Sequence, residues 1–251
     1  MKKNVLKRLS ILIILGLFVT LSSCNSSSEN KRGTSVINEN ATNEMTQGVF
    51  EFVPPIQGYV IYLDNRFLVM IGMSDSTMSC TGGKSEISGD TITDIKLFST
   101  NPNEVGNTQP WIAEMLQGDT LKATLLNKDG STMMIVKMVR KVNPTDEIRS
   151  QMKDIEGFYQ YAAPYRGLST MLGGYYIYLH GLPDEEMRAN AGTYKVDKDK
   201  TTCKNQFATN PQLIGVESDW IKKSVIGNKL TWATIDDKGE ITGTGQSVRP
   251  E

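Results

Sequence analysis

The chain has 251 residues and a formal net charge of −1, and four of its 27 basic residues but none of its 28 acidic residues lie among the first 23. The remainder is mildly acidic, at about −5, and has no basic cluster, which argues against a nucleic-acid-binding protein. Beyond Cys24, it contains two cysteines, Cys80 and Cys203, and one histidine, His180. A structural zinc site takes four such ligands, so we predict neither a metal site nor a cofactor.

The N-terminus has the pattern of a secretory signal peptide. Four basic residues within the first eight precede an apolar run from Leu9 to Leu21, which ends in small residues. This run is shorter than the roughly 20 residues that a membrane-spanning helix needs. We therefore expect export of the chain and removal of residues 1–23.

The signal ends in the sequence Leu21-Ser22-Ser23-Cys24, which resembles the lipobox of bacterial lipoproteins. The resemblance implies cleavage before Cys24 and attachment of lipid to its thiol, which would anchor the protein to a membrane of the cell envelope, with the outer membrane as the expected site. Residues 24–47 are polar and predict a flexible tether behind this anchor.

The rest of the chain contains one domain twice. When the sequence is shifted by 109 residues, residues 48–141 align with residues 157–250 without a gap, and 22 of the 94 aligned pairs are identical. The densest block runs from Phe98 to Pro102 and matches Phe207 to Pro211. An ungapped match of this length indicates duplication, with residues 142–156 as a linker or short helix between the copies.

Each repeat is predicted to be a series of short strands joined by tight turns. Runs rich in β-branched and aromatic residues alternate with hairpin signals, such as Asp64-Asn65 in repeat one and Gly173-Gly174 in repeat two. The strands predicted for repeat one are 48–53, 59–63, 66–72, 84–88, 91–99, 111–117, 119–127 and 131–140. Closing such a meander into a barrel buries one face and removes the free edges. The sequence therefore predicts an all-β protein of two tandem up-and-down barrels, each preceded by a short helix, the clearer one at 145–155.

Aromatic and arginine residues recur at the two ends of each repeat. Phe50 and Tyr159 lie two residues after the opening glycines, and Arg140 and Arg249 lie in the last strands. This resembles the lipocalin-like (calycin) pattern, in which a G-x-W on the first strand meets an arginine on the last. The resemblance implies that each arginine packs across the aromatic ring and closes one end of its barrel, a structural role. Segment 191–194 also resembles the small lipocalin-like domains of Gram-negative bacterial lipoproteins.

Repeat two carries a polar aromatic face that repeat one lacks. Side chains alternate along a strand, so Tyr176, Tyr178 and His180 share one face, where repeat one is purely apolar. Each buried hydroxyl or ring nitrogen needs a partner, so this change predicts that the face contacts water, a ligand or a protein partner, inside or outside the barrel. Tyr159 and Tyr161 on the first strand extend the same candidate site.

Two functions remain open at this stage. A binding module for a small apolar or aromatic ligand needs a cavity, whereas an adhesion or surface-interaction protein would use solid barrels as rigid scaffolds. No arrangement of nucleophile and base is evident, so we expect a non-catalytic protein. An oxidising compartment permits a disulfide between Cys80 and Cys203, but the sequence does not show whether the two thiols meet.

Overall fold

The protein is almost entirely β-sheet, and its strands form two closed barrels. The computed structural model describes residues 39–73, 78–145, 149–150 and 154–250, and the strands in these ranges form two eight-stranded antiparallel barrels in tandem. Within each barrel, each strand pairs with its neighbours along the chain, and the last strand pairs with the first. The predicted fold of two up-and-down barrels is therefore confirmed.

The strand boundaries follow the turn signals of the sequence closely. The first barrel contains β1 (Gly48–Phe52), β2 (Ile56–Leu63), β3 (Arg66–Met73), β4 (Ser79–Ser88), β5 (Thr91–Ser99), β6 (Thr108–Met115), β7 (Thr120–Leu126) and β8 (Thr132–Val142). The second contains β9 (Gly157–Tyr161), β10 (Arg166–Leu172), β11 (Tyr175–Gly181), β12 (Arg188–Asp197), β13 (Lys200–Ala208), β14 (Glu217–Ile226), β15 (Lys229–Ile235) and β16 (Ile241–Val248).

The recurring Asn-Pro pairs build the same loop in both barrels. The side chain of Asn101 accepts a hydrogen bond from Asn103 N and begins a short 3-10 helix, Pro102–Glu104. Asn210 accepts from Gln212 N in the same way. Proline fixes φ at the first helical position and asparagine caps it, so each pair holds the loop between the fifth and sixth strands of its barrel.

A helix precedes the first barrel and covers one of its ends. Helix α1 (Glu39–Thr46) is the short helix predicted before the first repeat. It lies within the segment 24–47 that the sequence also predicts to be a flexible tether, and the tether prediction is wrong for residues 39–46. The reason is packing, because Met45 contacts the core of the first barrel. Arg140 lies 5.1 Å from the centre of the Phe50 ring and donates a hydrogen bond to the carbonyl oxygen of Met45.

The second barrel has the same contact at the equivalent end. Arg249 lies 5.3 Å from the centre of the Tyr159 ring, and its Nη2 donates to the carbonyl oxygens of Asp154 and Glu156 at 3.1 Å. The stacking contacts that the family resemblance implies are therefore present in both barrels. Most of the helix predicted at 145–155 lies outside the described residues, as do Cys24 and residues 1–23.

Each barrel encloses a core of its own, and a third apolar cluster lies between the barrels. Outward-facing residues of the first barrel, such as Leu68, pack there against outward-facing residues of the second, such as Leu168 and Ile177. The hydroxyl of Tyr59 also donates to Oε1 of Gln206 at 2.8 Å across this interface. The two barrels are consequently joined by a buried apolar interface as well as by the connecting chain.

The two cysteines lie in different cores and are not joined. Cys80 is buried in the cluster between the barrels, whereas Cys203 is buried inside the second barrel. Both are free thiols. Burial raises the pKa of each thiol, so both are held in the neutral form.

Candidate ligand-binding cavity

The interior of the second barrel contains a cavity of about 400 Å³. Its wall is formed mainly by inward-facing side chains of the barrel strands, together with Ile155, which precedes β9, and Tyr165 in the β9–β10 turn. This volume lies at the lower end of the range for small-molecule pockets. Tyr178 and His180, from the predicted aromatic face of β11, line this space, so that face lies inside the barrel and not on its outer surface.

Four rings of the cavity wall cluster beside the β9–β10 turn. The ring centre of Tyr161 lies 5.9 Å from His180, 6.2 Å from Trp232 and 6.5 Å from Tyr165. Tyr165 and Trp232 are 6.3 Å apart. These distances are typical of edge-to-face and tilted aromatic pairs, which hold one another in place and present flat apolar surface.

The opposite wall consists of small and hydroxyl-bearing residues from the last two strands. Thr234 on β15 and Gly243, Thr244 and Ser247 on β16 line the cavity. Trp232 Nε1 donates to Ser247 Oγ at 3.1 Å, which fixes the indole against this wall. A ligand in the cavity would therefore meet rings on one side and hydroxyl groups on the other.

The space exists because the last strand of repeat two has lost bulk. Val136 and Met138 fill the core of the first barrel, whereas the equivalent residues of the second are Gly245 and Ser247. A Cβ atom on Gly245 would lie 2.2 Å from the ring of Trp232, so the indole occupies the place of the missing side chain. Ser247, in place of Met138, leaves further volume that belongs to the cavity.

The structure brings together four of the five residues that were predicted to bind a ligand. Tyr159, Tyr161, Tyr178 and His180 all line the cavity. Tyr176 is not among the lining residues, because it is fully buried behind them and its hydroxyl donates to Asn205. The assignment of Tyr176 to the binding surface is therefore wrong, and its role is to pack beside Tyr178, with ring centres 4.6 Å apart.

The titratable groups around the aromatic face are held neutral. Burial raises the pKa of Tyr161 and of Tyr178 above the ordinary value. Burial, together with the nearby charge of Arg188, lowers the pKa of His180, so its imidazole is uncharged at pH 7.

One charged residue, Asp219, lies at the cavity wall, but its carboxylate is directed away from the interior. Its neighbour Trp220 faces the core, so by alternation along β14 the Asp219 side chain faces outward. There the Lys200 ammonium lies 2.6 Å from the carboxylate. Burial alone would raise the pKa of Asp219, but hydrogen bonds from Lys200 and Thr202 outweigh this effect and keep the pKa below its usual value. The lining residues include no lysine or arginine.

The matching region of the first barrel contains a carboxylate that the second has lost. Asp94 accepts hydrogen bonds inside the first barrel from Ser85, Tyr62 and Trp111, at 2.6, 2.9 and 3.1 Å. Its counterpart in the second barrel is Cys203. The tryptophan is kept as Trp220, so its indole N–H no longer has a carboxylate to bind.

Sequence reasoning missed two important residues of the site, Tyr165 and Trp232. The alignment of the repeats held a signal for both, because they replace Ile56 and Ala123 of repeat one. The change from Val136 to Gly245 pointed to the same region. These differences indicate a cavity only when it is known which residues face each other across the barrel. That knowledge requires the strand register, which the structure supplies.

Within the described ranges, no group of three or more histidine, cysteine, aspartate or glutamate side chains is placed to hold a metal ion. In the same part of the chain, no helix has the length and apolar character needed to cross a membrane. Comparison with protein-family models, with curated protein sequences and with solved structures finds no match to this chain.

Proposed function

We propose that the protein is a non-catalytic binding protein, tethered to a membrane of the cell envelope by lipid on Cys24, whose second barrel holds a small, mainly apolar or aromatic ligand. The observation that carries the proposal is the cavity of about 400 Å³ beside Tyr161, Tyr165, His180 and Trp232. A scaffold that only presents its loops gains nothing from such a space, because unfilled volume in a core costs stability.

The difference between the repeats supports the same function. The core of the first barrel is filled by large apolar side chains such as Phe67, Val136 and Met138. The second barrel descends from the same domain, yet it has exchanged apolar residues at the cavity for tyrosine, histidine, serine and glycine. Buried polar groups of this kind are tolerated where they meet a partner, and a ligand would supply one.

The neutral fluorescent probe N-phenyl-1-naphthylamine tests the proposal. We expect the full chain to bind it with enhanced probe fluorescence. The double variant Ser169→Val and Ser247→Met restores the residues of the first barrel at two buried inward positions, so it fills the cavity. We expect this variant to bind the probe at least ten times more weakly while it still unfolds in one cooperative thermal transition.

The matched control is Gln246→Lys, which also installs the residue of the first barrel but on the exposed face of the same strand. This control is expected to bind the probe as the wild type does. Equal binding by the filled variant, or no binding by the wild type, would contradict the proposal. The exposed apolar residues Leu213, Ile214 and Val216, in the β13–β14 loop, would then become the candidate interaction surface.

A further inference from the structure

Two hydrogen-bond donors inside the second barrel have no oxygen or nitrogen acceptor among the described residues. Trp220 lines the cavity and is 9% exposed, and its Nε1 has no hydrogen-bond partner. This nitrogen is itself buried, so an acceptor in the cavity reaches it only when the indole shifts. The hydroxyl of Tyr178 lies 3.4 Å from Sδ of Met171 and 3.4 Å from Sγ of Cys203. Thioether and thiol sulfurs are weak acceptors, so both donors lack a good partner.

The first barrel shows what such donors bind when an oxygen is present. There the carboxylate of Asp94 accepts from Trp111 Nε1 and from the hydroxyls of Tyr62 and Ser85. The replacement of this residue by Cys203 removed the acceptor and left the tryptophan in place. Trp220 and Cys203 belong to the same buried cluster, against which Tyr178 packs with its hydroxyl 3.4 Å from the Cys203 thiol. The two donors therefore meet at one place.

We propose that the ligand is a neutral molecule with a carbonyl-type oxygen at its inner end, to which Tyr178 and Trp220 donate in place of the Asp94 carboxylate. This inference rests on the proposed function. A carbonyl oxygen has two lone pairs, which matches two donors. The rest of the ligand would then extend past Tyr161 toward the aromatic rings at the opening.

The composition of the cavity wall favours a neutral ligand over an anion. The lining residues contain no basic side chain to pair with an anion. An ion that leaves water without a partner loses its solvation, which is costly. The first barrel illustrates this cost, because burial raises the pKa of Asp94 to about 6 even with three donors on its carboxylate.

Three probes of similar shape separate these alternatives. They are 2-acetylnaphthalene, a neutral ketone, 2-ethylnaphthalene, a hydrocarbon, and 2-naphthoate, an anion. Competition with N-phenyl-1-naphthylamine on the full chain at pH 7.5 gives their affinities. We expect the ketone to bind about ten times tighter than the hydrocarbon, the effect of a typical net hydrogen bond. We expect the anion to bind more weakly than the ketone.

Variants then identify the donors. Cys203→Asp restores the acceptor of the first barrel, so we expect it to abolish the advantage of the ketone while the hydrocarbon still binds. Cys203→Ala is the matched control and should keep the advantage. Tyr178→Phe removes one donor and should reduce the advantage several-fold, which keeps the inference testable if the aspartate variant fails to fold.

The outcomes distinguish this inference from the proposed function. If none of the probes displaces N-phenyl-1-naphthylamine because that probe itself does not bind, the proposed function fails. If ketone and hydrocarbon bind equally well, or if 2-naphthoate binds tightest, the cavity binds ligands but the inference about the carbonyl oxygen is wrong.

Discussion

Trp111 Nε1 donates to Asp94 Oδ2 at 3.1 Å inside the first barrel, in a core that consists mainly of apolar side chains. Asp94 is 7% exposed, and two hydroxyl groups also donate to it. Burial raises the pKa of this carboxyl to about 6, and the hydrogen bonds oppose the rise only in part. The first barrel thus contains an acid that titrates in an accessible pH range.

This geometry predicts a specific pH dependence of stability. The folded-state pKa lies above the unfolded value of 3.8, so the folded protein binds the proton more tightly. The free energy of unfolding should therefore fall as pH rises from about 4 to about 6, by at most about 1.4 kcal/mol per pH unit from this group. Asp94→Asn should remove this contribution in urea unfolding measured across that range.

The control for this prediction is Asp90→Asn. Asp90 lies on the exposed turn that precedes the same strand. The Asp90→Asn protein carries the same change of carboxylate to amide outside the core and is the reference for the comparison. An Asp94→Asn protein with the pH dependence of the wild type would show that Asp94 does not titrate as its burial implies.

The fold could be predicted from sequence because turns and strands depend on local residue patterns, and the same patterns occur in both repeats. Residues such as Asp64 and Asn65, with φ of 52° and 56°, take the left-handed conformation of a two-residue hairpin turn, and each repeat carries such signals at matching places. The register then follows from the turn positions. The meander has free edges in any open form, so closure into a barrel was the consistent solution.

The candidate site could be predicted only in part. Alternation along β11 placed Tyr178 and His180 on one face but did not show which face was inward, nor that Tyr176 would be covered by other side chains. The cavity wall opposite the aromatic rings is formed in part by β16. Gly243 and Gly245 weaken the strand pattern of this segment, so the sequence alone offered little reason to place a cavity wall there. The sequence also did not predict that the apolar face that includes Ile177 packs against the first barrel, because contacts between domains leave no local sequence pattern.

Lipid attachment at Cys24 remains a prediction from the lipobox resemblance, and one substitution tests it. Cys24→Ala removes the thiol that would carry the lipid. We expect the variant to accumulate as unprocessed precursor or in soluble form, whereas the wild type should partition with membranes and show the mass of a lipidated N-terminus. Ser23→Ala is the control, because it keeps a small residue before the cysteine. Processing of the wild type to an unmodified N-terminus would contradict the prediction.

The interface between the barrels predicts how the second barrel behaves alone. Gly82 lies beneath Leu68 of its own barrel and Leu168 of the other, since a Cβ on it would lie 2.5 and 3.1 Å from their Cδ1 atoms. Residues 157–250 contain a closed barrel with its own core, so we expect them to fold alone. The fragment would, however, expose Leu168 and Ile177, which are 2% and 0% exposed in the whole chain.

A contiguous apolar face of this kind drives self-association. We therefore expect the isolated second barrel to dimerise or aggregate at micromolar concentration in analytical ultracentrifugation, with a cooperative melt at low concentration. Changing Leu168, Ile177 and Leu179 to threonine should make the fragment monomeric. The same three changes in the whole chain should destabilise it by roughly 1–3 kcal/mol each, because there they place hydroxyl groups in a packed interface. A monomeric unmodified fragment would show that the two barrels are joined mainly by the connecting chain, and a threonine fragment without a cooperative melt would show that the second barrel needs the first to fold.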